Sequence, residues 1–261
     1  MLLENLTWPE VKSLQVETKI VVLPLGSFEQ HGPHLPLTTD TDLVTAISRQ
    51  VERERPEKIL CLPTLWPGHS THHLFFPGTL SVSQMPYIQL VLELCRSITS
   101  MGGKKVFLLN GHGGNDIPLR AALRELKTEF PQVQFVFASY WSIAARTIEK
   151  VRESELGGLG HACEMETSLM LHLHPDRVKM HLAKRDGPKH TDTFRKADMQ
   201  YARPIYFVNE FDEVSETGVV GQPELASAKK GEQFFTGIVN DVINFVDEFV
   251  TWQQIPAPAW Q

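Results

Sequence analysis

Four short apolar segments recur along the chain, and longer amphipathic segments separate them. The short segments have the length and almost unbroken apolarity of strands that are buried on both faces. The longer segments repeat apolar residues every three or four positions, which predicts helices with one buried side. Strands that alternate with helices indicate a mostly parallel sheet covered by helices on both sides. The predicted strands are residues 19–26, 58–65, 104–111 and 133–141.

Turn signals mark where several of the helical segments stop. The segment 85–103 ends at a glycine pair, a common stop for a helix. Residues 217–250 contain a glycine- and proline-containing turn followed by a final amphipathic helix. Residues 184–204 are polar and have little periodicity, so we predict a long excursion or flap there. The length allows one large α/β domain or two small ones, and we expect a single domain over residues 1–261 that includes this excursion.

Composition narrows the class of protein. The chain has 261 residues, a formal charge of −6 and 42 % hydrophobic residues, as in an ordinary soluble globular protein. Without a basic surface, nucleic acid is not an expected partner. No apolar run approaches the roughly 20 residues of a membrane helix, and the first residues lack the apolar core of a signal peptide. Three widely spaced cysteines, at 61, 95 and 163, favour a reducing, cytoplasmic setting.

Ionisable residues cluster directly after the first predicted strand. Glu29 and His31 are two positions apart, so in extended backbone both side chains point the same way. They would enter the crevice beyond the ends of the strands, where open parallel sheets bind ligands. A surface loop with an ion pair is the alternative. Asp40 and Asp42 could instead cap the next helix, which we prefer for Asp42, and His34 could line a pocket or support a ligand.

His112 follows the third predicted strand in a glycine-rich loop. Such a loop turns sharply or approaches a ligand closely. A phosphate cradle is the rival interpretation, but the lysine and hydroxyl residue of a P-loop are missing. Together with Glu29, His31 and Asp40, His112 gives a nitrogen and oxygen donor set that suits Zn, Mn or Fe rather than a thiolate site.

A third group of candidates lies within residues 160–175, which we expect to be helical. His161 and Glu164 are three apart and would share a helix face, while Glu166 falls further round. Two glutamates could also be a favourable acidic first turn. The neighbouring histidine makes us favour a functional role. Cys163 is expected to be a packing thiol.

Five motifs resemble signatures of the creatininase (creatinine amidohydrolase) family. The resemblance runs from residue 1 to about 245 in the same order. It implies an α/β three-layer sandwich with a mostly parallel central sheet, a homo-oligomer that is typically a hexamer, and amide C–N hydrolysis with two divalent metal ions per chain. The motifs are GSFEQHGPHLPLTTD, FPGTLS, NGHGGN, HACEMETS and GVVGQPELASAKKG.

The resemblance also implies a role for each matching residue. Glu29 and His112 would hold one metal, His31 the other, and Asp40 would bridge them. His161 and Glu166 match the pair that manages protons near the substrate.

The sequence departs from creatininase at one ligand position. Two residues after the NGH histidine, creatininase has a glutamate that ligates the second metal, whereas this chain has Gly114. We expect Glu164 to supply the missing carboxylate, because it shares a helix face with His161. A glutamate introduced at Gly114 would then be expected to restore part of the site.

The expected function is a metal-dependent amidohydrolase that cleaves an amide C–N bond in a cyclic amide or a formamide. Alternatives are a creatininase-like peptidase acting on a small modified peptide and a non-catalytic metal-binding assembly protein. The expected substrate-binding residues are Ser70, His73, Gly113, Gly114 and Trp141, with His72 beside them.

Overall fold

A four-stranded parallel sheet forms the centre of the protein. The computed structural model describes residues 1–188, 194–195, 198–201 and 205–253. The strands are ordered β2-β1-β3-β4, and every neighbouring pair is parallel. Each strand lies inside a segment that the apolar pattern predicted. The strands are β1 (Ile20–Leu25), β2 (Ile59–Cys61), β3 (Lys105–Asn110) and β4 (Gln134–Ser139).

The long helices at Thr39–Glu54, Gln84–Ser100, Asp116–Glu129 and Ala228–Thr251 lie in the predicted amphipathic segments. The segment 160–175 is helical only from Glu164 to Leu173, and His161 lies in a strand, so the prediction that His161 and Glu164 share a helix face is wrong. The longest helix begins where Ser227 accepts a hydrogen bond from the backbone N–H of Lys230, a normal N-cap. No helix within the described part of the chain is long and apolar enough to cross a bilayer. The helices are α1 (Trp8–Ser13), α2 (Thr39–Glu54), α3 (Gln84–Ser100), α4 (Asp116–Glu129), α5 (Tyr140–Ile143), α6 (Ala145–Val151), α7 (Glu164–Leu173), α8 (Phe211–Val214) and α9 (Ala228–Thr251).

Two apolar cores lie on the two faces of the sheet. Successive strand residues point to opposite faces, so Val21 and Leu23 enter one core while Ile20 and Val22 enter the other. Helices α3 and α4 cover the first core, and α2, α7 and α9 cover the second. The predicted three-layer α/β/α sandwich with a mostly parallel sheet is therefore confirmed.

The strand order places a crevice between β1 and β3. After β1 the chain enters α2 on one face of the sheet, and after β3 it enters α4 on the opposite face. The connections therefore diverge beyond the carboxyl ends of these two adjacent strands, at the kind of switch point where open α/β sheets bind ligands.

A small antiparallel pair borders this crevice. It consists of β5 (Leu159–His161) and β6 (Val220–Gly221). Ala162 has φ +50°, in the left-handed region that residues other than glycine rarely adopt. This backbone turn joins β5 directly to α7, so that His161 and the first turn of α7 approach the same place.

The predicted excursion at 184–204 lies partly outside the described residues, namely at 189–193, 196–197 and 202–204. Its described residue Asp198 accepts two hydrogen bonds from the Arg152 guanidinium, each 2.9 Å long. The next residue, Met199, donates its N–H to the carbonyl of Leu159. These contacts fix this part of the excursion against β5.

Candidate metal centre

Side chains from the ends of β1 and β3 and from α2 form the first donor group. His112 Nδ1 lies 3.2 Å from Glu29 Oε2 and 3.0 Å from Asp40 Oδ2. All three side chains are buried. One ligand atom from each lies within 4.8 Å of the others. This group contains three of the residues that the sequence singled out.

A second donor group shares Asp40 with the first. His31 Nε2 lies 3.0 Å from Asp40 Oδ1, and Glu166 completes the group with atoms again within 4.8 Å of one another. Asp40 therefore directs one carboxylate oxygen toward each group. This is the arrangement that a bridging carboxylate between two metal ions requires.

Backbone carbonyls set the proton positions on three histidines. The carbonyl of Glu29 lies 3.2 Å from His31 Nδ1, and that of Gln30 lies 2.7 Å from His161 Nε2. The carbonyl of His69 lies 3.1 Å from His112 Nε2. A carbonyl only accepts, so each of these ring nitrogens carries a proton. The other ring nitrogens of His31 and His112 face Asp40, where a metal ion would take the place of a second proton.

The buried charges of the cluster favour additional positive charge. Burial alone lowers the pKa of His31, but the nearby Asp40 carboxylate outweighs this effect and raises the pKa to about 9. Burial raises the pKa of Glu166 to about 7. Burial also raises the pKa of Asp40, yet His31 and His112 hold it below its ordinary value. Burying so many carboxylates is costly unless positive charge compensates them.

Two buried oxygens fit the requirement for a cation directly. Glu29 Oε1 and Asp40 Oδ2 have no hydrogen-bond partner among the described residues. Two ligands about 2.1 Å from one ion are at most about 4.2 Å apart, so small side-chain movements suffice for each group. Imidazole and carboxylate donors without a thiolate suit zinc, manganese or iron. The residues present therefore fit the two divalent ions that the family resemblance implies.

A cavity of about 280 Å³ opens beside the two groups. One side of it is polar and is formed by the cluster, including Glu29, Asp40 and Glu166. Trp141, Met199 and Phe211 add apolar surface to the lining. Apolar side chains around a few convergent polar groups are the usual form of a small-molecule site.

The predicted substrate-binding residues divide into two sets. His72, His73, Gly113, Gly114 and Trp141 line the cavity. Ser70 does not line it, which corrects its expected role. Its side chain is fully buried, and its hydroxyl lies 2.5 Å from Ser27 Oγ and 3.1 Å from His112 Nε2. Ser70 therefore contacts Nε2 of His112, while Nδ1 of the same ring faces Glu29 and Asp40.

Glu164 does not reach the cluster, so its expected role as the replacement ligand is corrected. Its carboxylate accepts a hydrogen bond of 2.7 Å from Lys230 Nζ. It also accepts the backbone N–H groups of Glu153 and Ser154, the latter at 2.8 Å. Residues two apart on a helix are about 200° apart around its axis. Glu164 therefore points toward α9 while Glu166 points into the cluster.

A glutamate at position 114 has no space, contrary to our expectation. A Cβ on Gly114 would overlap the carbonyl oxygen of His69 and would lie 2.5 Å from His112 Nε2. At Gly113, by contrast, a Cβ would have nothing within 4 Å of it. The missing carboxylate cannot therefore be restored at 114 without moving His112.

Three further predicted residues lie beside the centre. Asp42 lies in the first turn of α2, whose N-cap is Thr38, and pairs with Arg177 at 2.7 Å, so it lies outside the cluster but is not the predicted cap. His34 Nε2 lies 2.9 Å from Thr167 Oγ1 and thus ties the site loop to α7. Cys163 is fully buried, and burial raises the pKa of its thiol well above the usual value. This suits a packing residue rather than a nucleophile.

Sequence reasoning did not single out three residues of the site. Gln30 contacts His73 and His161, while Met199 and Phe211 form part of the cavity wall. Gln30 stands between two recognised candidates, a position that could have drawn attention to it. Met199 and Phe211 lie in or after the aperiodic excursion, where the sequence pattern gave no sign of which residues return to the site.

Comparison with known proteins agrees with the motifs. The profile of the family named creatininase, described as creatinine amidohydrolase, matches residues 4–246. A mycofactocin precursor peptide peptidase from Mycobacterium ulcerans is 33 % identical over 248 residues, covering 91 % of this chain and 84 % of that protein. The creatinine amidohydrolase of Pseudomonas putida is 28 % identical over 261 residues, covering 94 % and 95 %.

A solved structure has the same fold. The structure named "Creatininase Mn" superimposes with a TM-score of 0.78 and 26 % sequence identity. The alignment covers 95 % of this chain and 97 % of that one. The likeness thus extends over nearly the whole fold.

Proposed function

This chain belongs to the creatininase family, and from this premise we propose that it hydrolyses an amide C–N bond using two divalent metal ions. The position of Asp40 supports the proposal most strongly. Its two oxygens face two separate donor groups, at 3.0 Å from His31 Nε2 and 3.0 Å from His112 Nδ1. A purely structural ion pair does not need one buried carboxylate to serve two groups beside an open cavity.

The proposed ligands follow the two donor groups. Glu29, His112 and Asp40 would hold one ion, and His31, Glu166 and Asp40 the other. Glu166 thus takes the place that the sequence suggested for Glu164. Its Oε2 accepts the N–H of Cys163 at 3.3 Å, which fixes the carboxylate at the start of α7.

The remaining candidate for proton transfer is His161. Bound divalent ions would supply Lewis acidity and a nucleophilic water at neutral pH. His161 Nε2 donates to the Gln30 carbonyl, so the lone pair of Nδ1 faces the cluster, 3.7 Å from Glu29 Oε1. A nitrogen held in this way can accept a proton from water and return it to the leaving nitrogen. Gly113 and Gly114 line the same cavity.

The size of the cavity favours a small substrate. A volume of about 280 Å³ accommodates a cyclic amide or a formamide. A small modified peptide is the second candidate. It is favoured by the 33 % identity to a mycofactocin precursor peptide peptidase, and a short terminal segment of a peptide would also enter this cavity.

A direct test combines metal content with a substrate panel. The full chain would be stripped with a chelator, reloaded with zinc, manganese or iron(II), and analysed for metal per chain. Each form would then be assayed with cyclic amides, formamides and short peptides, including peptides with modified C-termini. We expect hydrolysis only in a metal-loaded form with two ions per chain. Metal-free protein with full activity would refute the proposal, and two tightly bound ions without any turnover would favour the metal-binding assembly protein.

A further inference from the structure

The side chain of Gln30 is held by two backbone groups of opposite character. Its Nε2 lies 3.0 Å from the carbonyl oxygen of Gly218, and its Oε1 lies 2.8 Å from the N–H of Gly32. A carbonyl can only accept and an N–H can only donate. Rotating the amide by half a turn would place two acceptors together at Gly218 and two donors together at Gly32. The orientation of this amide is therefore unambiguous.

The fixed amide determines which nitrogen of His73 carries the proton. Gln30 Nε2 lies 2.8 Å from His73 Nδ1. Because Nε2 of an amide only donates, His73 Nδ1 must accept. A histidine that accepts at Nδ1 is neutral and has its proton on Nε2. His161 Nε2 does not accept a hydrogen bond from this amide, since it donates its own proton to the backbone carbonyl of Gln30 at 2.7 Å.

The Nε2–H of His73 is available to a ligand in the cavity. Its nearest carboxylate oxygen, Glu29 Oε1, is 3.2 Å away, but that oxygen accepts no aligned hydrogen bond from a described residue. His73 lines the cavity next to both donor groups. The ring of Phe211 stacks on the imidazole, with 3.9 Å between centroids and an interplanar angle of 28°, and so holds the plane of the imidazole.

We propose that His73 is a catalytic hydrogen-bond donor whose Nε2–H binds the carbonyl oxygen of the scissile amide, and that Gln30 is the positioning residue that keeps the proton on Nε2. The proposal rests on the amide hydrolysis proposed above. A preorganised neutral donor of this kind stabilises the negative charge that develops on the carbonyl oxygen. No proton leaves His73, so His161 keeps the proton-transfer role. His73 thus differs from His31 and His112, whose inward-facing nitrogens lie 3.0 Å from Asp40 and belong to the donor groups.

Kinetics of two His73 variants test the donor role. His73→Leu removes the N–H, and we expect kcat to fall about 10²–10³-fold while both ions are retained and KM changes little. In His73→Gln, the amide nitrogen can occupy the place of Nε2, so part of the lost rate should return. Unchanged kcat in metal-loaded His73→Leu would overturn the donor role, and so would equal losses in both variants.

The tautomer can be measured without any substrate. Zinc-loaded protein labelled with ¹⁵N-histidine would be studied by two-bond ¹H–¹⁵N correlation spectra, and the signal of His73 among the 11 histidines would be identified by its loss in His73→Gln. We expect a protonated Nε2 and an unprotonated Nδ1. Gln30→Met should lose this preference and lower kcat at least about tenfold with both ions kept. Gln89→Met, on the exposed face of α3, is the matched control and should change neither.

These outcomes separate this inference from the proposed function. An Nδ1–H tautomer or an imidazolium at His73 in the wild-type protein would overturn the inference and leave amide hydrolysis untouched. So would a Gln30→Met variant with the wild-type tautomer and wild-type kcat. A complete lack of hydrolysis across the substrate panel would instead refute the proposed function.

Discussion

Two buried carboxylates in the first turn of α7 have opposite surroundings. Glu164 is fully buried and receives three donors, namely Lys230 Nζ at 2.7 Å and the backbone N–H groups of Glu153 and Ser154. Glu166 is only 4 % exposed and accepts the N–H of Cys163 at 3.3 Å, while facing His31 and Asp40. The first carboxylate is neutralised within the protein, and the second is directed into a cluster that already holds negative charge.

This difference shows how the chain separates a structural carboxylate from a proposed ligand. A buried charge is tolerated when hydrogen bonds and an opposite charge compensate it. For Glu164 the compensation comes from α9 and from the loop before β5. For Glu166, burial instead raises the pKa to about 7, and a divalent cation beside His31 and Asp40 would favour its ionised form. Two neighbouring acidic residues of one helix thus acquire different functions from their direction alone.

The largest effect is expected when the shared carboxylate of the cluster is removed. Asp40→Ala should bind neither ion and should lose hydrolysis, because both proposed ligand sets contain this residue. The loss of hydrolysis should exceed the roughly 10–100-fold that is typical when a residue hydrogen-bonded to a metal ligand is removed. Elemental analysis after dialysis measures the metal content. Asp42→Ala is the matched control from the same helical turn, since Asp42 pairs with Arg177 instead. Full metal occupancy in Asp40→Ala would contradict the bridging assignment.

The next largest effect concerns Glu166 itself. Glu166→Gln should lose one of the two ions and keep the ion in the group of Glu29 and His112, since only one group contains Glu166. Hydrolysis should fall about 100-fold or more. Calorimetric titration of metal-free protein with zinc would show one binding event in place of two. If two ions remain and only turnover falls, Glu166 transfers protons, as the family resemblance implies.

Glu164 should behave in the opposite way. Glu164→Gln leaves the buried Lys230 with Glu153, whose oxygen is 3.2 Å away, as its partner. Breaking one side of a buried ion pair typically costs 3–5 kcal/mol, so we expect a loss near the lower end, about 3 kcal/mol in the free energy of unfolding. Urea denaturation measures this loss, and zinc titration should still show two ions. Adding Lys230→Met should recover part of the stability, and a metal deficit in Glu164→Gln would reverse the contrast with Glu166.

The sequence predicted the sheet, its long helices and the candidates Glu29, His31 and His112 after β1 and β3, with Asp40 at the start of α2, because these depend on local patterns. Apolar runs fix the strands, and parallel strands bring their carboxyl ends to one edge. Glu164 and Glu166 could not be told apart in this way. Their directions depend on where α7 begins, which is set by the left-handed turn at Ala162 and by the contact with Lys230.

Local sequence patterns also could not predict the contacts that Ser70 and Phe211 make. Ser70 precedes the cavity-lining His72 and His73 in sequence, yet its hydroxyl turns back toward Ser27 and His112. Phe211 stacks on His73 from a segment more than a hundred residues away along the chain. Such contacts depend on long-range packing, which cannot be predicted from the spacing of residues or from composition.

A substitution at position 114 tests whether the cluster accepts a side chain where creatininase has a carboxylate. Gly114→Ala adds one methyl group that would overlap the His69 carbonyl and press on His112. We expect a loss of about 1–3 kcal/mol in stability, as for other overpacked positions, together with weaker binding of the ion held by His112. Thermal unfolding with and without added zinc measures both. A stable Gly114→Ala variant with normal zinc affinity would show that the His69 segment adjusts freely.

The smallest effect is expected one residue earlier, at Gly113. A methyl group there meets nothing within 4 Å, so Gly113→Ala should change stability by no more than about 0.5 kcal/mol and should keep both ions. The methyl group would, however, project beside the cavity that Gly113 lines. The expected result is a KM that rises by a few-fold for the largest substrates of the panel and is unchanged for the smallest. An equal change for all substrates would mean that Gly113 affects the cluster rather than the space beside it. The adjacent glycines would then differ only in degree, whereas the structure places one against His112 and the other against open cavity.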